Sequence, residues 1–176
     1  MKYHVVLLSA ALTLTLAAGA DARDSRIDAP HLRAVNEAGS TLMKDAQQKS
    51  ETVRDLITTL EASNMVAYVR VVSAGKDAPE SGLTFVGRSK VQRFVLISIS
   101  NETSSDRRIE LLGHELQHVA EAATTAWVND DAQFQRLMTM LGWRDSSRSR
   151  GYETSAASHV ERKVRKDVRT ATGTPQ

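Results

Sequence analysis

Over residues 105–124 the apolar side chains and the imidazoles of this chain sort onto opposite sides of a helix. Ile109, Leu112, Leu116, Val119 and Ala123 recur at three-, four- and seven-residue intervals. At about 100° of turn per residue they gather within roughly 80° of one another. His114 and His118 fall about 140–180° from the centre of that stripe. Thr103-Ser104-Ser105-Asp106 supplies a cap signal and a first-turn carboxylate in front. Such a helix must bury one face in a core and turn its histidines toward a cleft, which excludes a bare coil or an all-strand fold.

The flanking pattern supplies the rest of that core. Residues 31–49 read as a helix interrupted at Gly39-Ser40, and Val53, Leu56, Ile57 and Leu60 mark a better one opening at Ser50. Three strands are expected at residues 65–72, 83–86 and 93–100, the last alternating Val95, Ile97 and Ile99 with Leu96, Ser98 and Ser100. Beyond the histidines, Phe134, Leu137, Met138 and Leu141 form the apolar face of a helix that stops at Gly142, with Trp143 expected in the core. Residues 144–150, with three Arg among Ser, read as a solvated loop, and residues 152–168 as a last helix. The fold class is α+β: a short mixed sheet of about three strands packed on the histidine helix, with helices before and after it in sequence.

The ends limit the compartment. Lys2 followed by an apolar run over residues 5–18 and small residues around Ala18, Ala20 and Ala22 reads as a signal peptide over residues 1–22. That run is shorter than the roughly 20 residues a membrane span needs. The expected product is exported, periplasmic or secreted, without a stable membrane anchor. The organisation expected is a polar segment and helix over 23–49, one domain over 50–169 and a frayed tail over 170–176. Cysteine is absent, so no disulfide reinforces the fold. A net charge of +2 gives no reason to expect a nucleic-acid partner.

The histidines belong to His114-Glu115-Leu116-Gln117-His118, an H-E-x-x-H. Imidazoles four apart on a helix stack one turn apart and can grip one zinc ion, and the Glu between them can act as general base toward its water. A catalytic zinc takes three protein ligands. Glu121 shares the histidine side, but it lies about 10 Å along the axis from His114, which suits orienting His118 better than coordination. Glu153 falls in the sector of the stripe Ala157, Val160, Val164 and Val168 of the last helix. A carboxylate there is costly unless zinc neutralises it, which makes Glu153 the expected third ligand; a first-turn Glu favoured by the helix dipole is the other explanation.

The stretch Gly113 to Glu121 (GHELQHVAE) resembles the active-site helix of zincin metallopeptidases. With a Glu from a following helix the chain looks like a gluzincin, and more narrowly it resembles small exported bacterial HExxH proteins of unassigned function. The resemblance covers roughly residues 50–168 and implies a minimal zincin core. It departs from larger gluzincins in carrying Ala157 where a second carboxylate follows the ligand Glu. It implies a residue that steadies the oxyanion, for which Tyr152 and His159 are candidates. The expectation is an exported zinc peptidase acting on a peptide or protein through a zinc-bound water, with His114, His118 and Glu153 as ligands and Glu115 as base. The alternatives are a non-catalytic zinc-stabilised binding domain and a metal-free helical binding module.

Overall fold

The computed structural model describes residues 30–73, 75, 78–144 and 152–173. The expected signal segment, the Arg- and Ser-rich connection beyond Arg144 and the last three residues lie outside them. In chain order the elements are β1 (Leu32–Ala34), α1 (Glu37–Lys49), α2 (Glu51–Glu61), β2 (Met65–Val72), β3 (Ser81–Arg88), β4 (Arg93–Ser100), α3 (Ser105–Ala123), α4 (Asp131–Leu141), β5 (Trp143–Arg144), β6 (Tyr152–Glu153) and α5 (Ser155–Thr172). Among the described residues the fold is therefore α+β, with five helices, a four-stranded sheet and a two-stranded ribbon. No described helix is long and apolar enough to cross a membrane.

Every helix opens on a short polar side chain that accepts from the backbone N–H three residues on. These caps are Asn36, Ser50, Ser104, Asp130 and Thr154. Each satisfies a donor that the first helical turn cannot satisfy itself.

The sheet runs β1-β2-β4-β3, with β1, β2 and β4 parallel and β3 antiparallel at the edge. Val95, Ile97 and Ile99 of β4 and Ala67, Val69 and Val71 of β2 point into the core, where Ile109, Leu112, Leu116 and Val119 of α3 meet them. Alternate residues (Tyr68, Arg70, Leu96 and Ser98) are half-buried on the other face, as a two-residue period requires. Ser100 N donates to Glu80 O at 2.8 Å. The antiparallel alternation then directs the N–H and C=O of Ser81, Leu83 and Phe85 toward the free edge. Phe85 N meets Asp131 Oδ1 of α4 there, at 3.4 Å.

Arg93, at the start of β4, is buried and holds the far end of α3. Its guanidinium donates to the carbonyls of Ala122, Ala123, Thr125 and Val128 and to Asn64 Oδ1. A cation placed on a helix C-terminus complements its dipole as well as its unpaired carbonyls.

Several expectations are corrected. Leu32–Ala34 is a strand rather than helix, and α1 runs unbroken through Gly39. The sheet consequently has four strands, and Leu32, Leu42 and Ala46 belong to the same core as the later elements. Tyr152 and Glu153 form β6, with Thr154 as the cap, so Glu153 precedes the last helix instead of opening it. Trp143 is 52% exposed rather than core. The last helix also continues past residue 168 to Thr172 before Gly173 closes it in a left-handed turn.

Candidate metal centre

Helix α3 is buried around most of its circumference, and the histidine side is the floor of a cleft rather than an open surface. His114 is 1% and His118 4% exposed. Helix α5 covers part of that side. Its approach depends on Gly113, where an added Cβ would stand 2.7 Å from Val164 Cγ2. Only a residue without a side chain lets α5 come near enough for Glu161 to reach His114.

The two imidazoles meet edge to face, with ring centroids 4.8 Å apart and Nε2 to Nε2 at 3.2 Å. Their other nitrogens face carboxylates. His118 Nδ1 lies 2.9 Å from Glu121 Oε2, and Thr154 Oγ1 donates to Glu121 Oε1 at 2.7 Å. His114 Nδ1 lies 3.2 Å from Glu161 Oε2, near enough for charge coupling but not aligned as a hydrogen bond. A proton on His118 Nδ1, shared with Glu121, leaves that ring's Nε2 a lone pair toward His114. Two bare lone pairs at 3.2 Å repel, and a proton or a metal cation between them removes the repulsion.

The surrounding charges favour that positive species. Burial lowers the His114 imidazole, but Glu161, Glu115 and Glu153 outweigh burial and hold it above its ordinary value. Glu161 is held down to about 2 by His114 foremost, against the effect of its burial, and then by Arg107. Arg107 donates to Glu161, Glu110 and Glu80, and Arg165 donates to Glu161 and Glu110, so this carboxylate is fixed as well as charged.

Zinc fits this donor set in part. Tetrahedral coordination at Zn–N of about 2.0–2.1 Å spaces two nitrogens by about 3.3 Å, close to the separation of the facing imidazoles. Glu153 Oε2 is 3.9 Å from His114 Nε2, while Ser158 Oγ donates to Glu153 Oε1 at 2.6 Å. Among the described residues no three His, Cys, Asp or Glu side chains already surround one point at ligand distance. Two imidazole nitrogens stand at a spacing that suits such an ion, and Glu153 is a carboxylate beside His114 Nε2. Glu121 faces Nδ1 of His118 instead, the position of an orienting group.

Glu115, also buried, accepts from Ser81 Oγ at 2.6 Å and lines a cleft of about 460 Å³ with His114, His118 and Tyr152. His159 is exposed and is not in that wall. Gly142 fixes the far side: a Cβ on it would stand 2.9 Å from the Glu153 carbonyl carbon, so α4 and β6 touch through backbone alone.

Sequence reasoning missed Glu161, Ser81, Thr154 and Ser158. Glu161 had a signal: it sits four residues past Ala157 and three before Val164, inside the buried stripe of α5, where an uncompensated carboxylate is costly. Ser81, on a strand distant in sequence, had none. Comparison of the chain with known protein families, with curated proteins and with solved structures finds no match in any of the three.

Proposed function

We propose that this protein is an exported zinc-dependent peptidase. The observation that carries the reading is the pair of Nε2 atoms facing each other at 3.2 Å, beside Glu115 and in a cleft bordered by a free strand edge. His114, His118 and Glu153 would hold the metal, with Glu161 and Glu121 orienting the two rings. When bound, zinc supplies Lewis acidity toward water and toward a peptide carbonyl.

The chain's own residues supply the other requirements. An extended peptide pairs with the outward N–H and C=O groups of Ser81 and Leu83, adding a strand to β3 and laying its carbonyl over the cleft floor. Ser81 engages Oε1 of Glu115 and fixes the carboxylate. The remaining oxygen, Oε2, accepts a proton from water and returns it to the leaving amine nitrogen. Tyr152, in the cleft wall, is the candidate donor to the developing oxyanion. The apolar run over residues 5–18 supports export.

The second reading is a non-catalytic zinc-stabilised binding domain, favoured by the 3.9 Å between Glu153 and His114. Zinc content after dialysis against metal-free buffer, followed by peptide hydrolysis by wild type and Glu115→Gln, tests the proposal. One zinc per chain in both proteins, with hydrolysis confined to wild type, is expected. Zinc without hydrolysis leaves the second reading; no zinc after reconstitution removes both.

A further inference from the structure

Arg107 is the third residue of α3, in a first turn where a cation opposes the helix dipole. Three carboxylates hold it there. Its Nε and Nη2 donate to Glu80 Oε2 at 3.2 and 3.0 Å, and its Nη1 donates to Glu110 Oε2 at 3.0 Å and to Glu161 Oε1. Two of these contacts lead to different parts of the candidate site. Glu161 presents its other oxygen to His114 Nδ1 at 3.2 Å. Glu80 is followed by Ser81, whose Oγ donates to the buried Glu115 carboxylate at 2.6 Å, and the Glu80 carbonyl accepts from Ser100 N at 2.8 Å. Strand β3 is therefore fastened to α3 at two successive residues, Glu80 to Arg107 and Ser81 to Glu115. Among the described residues Arg107 is the only one bonded to both Glu80 and Glu161; Arg165 donates to Glu161 and Glu110 but not to Glu80.

Resting on the zinc-peptidase reading, we infer that Arg107 is a positioning residue that keeps the histidine ligand and the general base in register. One arm of its guanidinium fixes Glu161 behind His114, and the other fixes the entry of β3, with Ser81, beside Glu115. His114 and Glu115 serve one reaction centre, so their placement relative to each other matters as much as the placement of either. Both arms leave one rigid, planar group whose donors point in set directions. An ammonium is a point charge without that fork and does not hold both directions at once. The arms are nonetheless separable. Without the Glu80 carboxylate β3 loses its tie, while Glu161 stays held by both arginines. Without the Glu161 carboxylate His114 loses its partner, while Glu80 stays on Arg107.

The test is a pair of double-mutant cycles, Arg107→Met with Glu161→Gln and Arg107→Met with Glu80→Gln. Zinc affinity, by competition with a chelator, reads the first. Amide hydrogen exchange at Ser100, whose N–H is bonded to the Glu80 carbonyl, and kcat at saturating zinc read the second. Arg107→Met is expected to lower zinc affinity about tenfold, since Arg165 still holds Glu161, and by less than about twofold where Glu161 is already Gln. Glu80→Gln is expected to keep wild-type zinc affinity, to speed Ser100 exchange about two- to fivefold and to lower kcat at least about twofold. Arg107→Met adds little to either effect in that background. Arg107→Lys keeps the charge and runs in the same cycles should the Met variant not fold; it is expected to recover one arm and not both. Equal losses of zinc affinity with and without the Glu161 carboxylate, or an unchanged Ser100 exchange in Glu80→Gln, overturn the inference and leave Arg107 a merely structural role. Zinc and exchange effects that collapse as expected, in a protein that hydrolyses no peptide, retain the clamp and remove the peptidase reading. Hydrolysis with additive effects in both cycles does the reverse.

Discussion

Alanine at Gly142 should separate metal binding from folding. Gly142 ends α4, its N–H bonded to Met138 O at 3.0 Å, and its Cα faces β6 directly. A Cβ there would fall within the van der Waals shell of the Glu153 carbonyl oxygen, 2.9 Å from its carbon and 3.1 Å from Thr154 Cα. These are backbone atoms, so no rotamer change relieves the contact. Ordinary contact begins at 3.4 Å, and β6 must therefore recede by half an ångström for the carbon and by roughly 1.5 Å for the oxygen. Overpacking of this kind costs about 1–3 kcal/mol, which a two-residue ribbon at the rim absorbs without loss of the core. A 1 Å displacement of a positioned group, however, costs about 10²-fold in what it positions. Gly142→Ala is expected to keep its far-ultraviolet circular dichroism and cooperative unfolding, with Tm lowered by several degrees. Its zinc affinity, measured by competition with a chromophoric chelator, is expected to fall by about 10–100-fold. A folded Gly142→Ala protein with wild-type zinc affinity would refute the assignment of Glu153 as a ligand placed by β6.

Three further outcomes are expected. Arg93→Ala strips the donor from four carbonyls at and beyond the end of α3, two of them in buried hydrogen bonds. Urea unfolding should lose about 3–5 kcal/mol, and a loss under about 1 kcal/mol would show that water replaces the guanidinium. Glu161→Ala should weaken zinc binding by about 10–100-fold with Glu161→Gln in between, because an unoriented His114 must be fixed on binding; unchanged affinity would show that Nδ1 needs no acceptor. In the metal-free protein the Glu161 carboxyl is held from 4.5 down to about 2, so its contribution is present above pH 4.5 and is lost as pH falls toward 2. Thermal unfolding across that window should show a larger loss in wild type than in Glu161→Gln, and parallel curves would contradict the coupling.

Much of the scaffold was legible because it rests on periodicity. The stripe Ile109, Leu112, Leu116, Val119 located α3, and the alternation of Val95, Ile97 and Ile99 located β4 and its buried face. Leu32–Ala34 was misread because three residues cannot display a two-residue period, and His-Leu-Arg-Ala is acceptable to a helix. What makes it a strand is pairing with Ala67–Val69, a contact made across the fold. Glu153 was proposed from its cost in a helix sector it does not occupy, since α5 starts at Ser155 behind the Thr154 cap. The carboxylate that does lie in the buried stripe is Glu161, and it faces His114. Trp143 was assigned to the core on size, whereas its two-residue strand pairs with β6 at the molecular rim.

The two borders of the sheet have a consequence for how copies of this chain meet. One border is β1, only three residues long. The other is β3, where Asp131 already occupies the N–H of Phe85 and a bulge follows between Phe85 and Gly87. Neither offers a neighbouring copy the long, regular ladder that ordered stacking into fibres needs. The outward backbone at Ser81 and Leu83 is too short to template a polymer. The Asp131 carboxylate thus shortens the run of outward backbone with which another strand could pair.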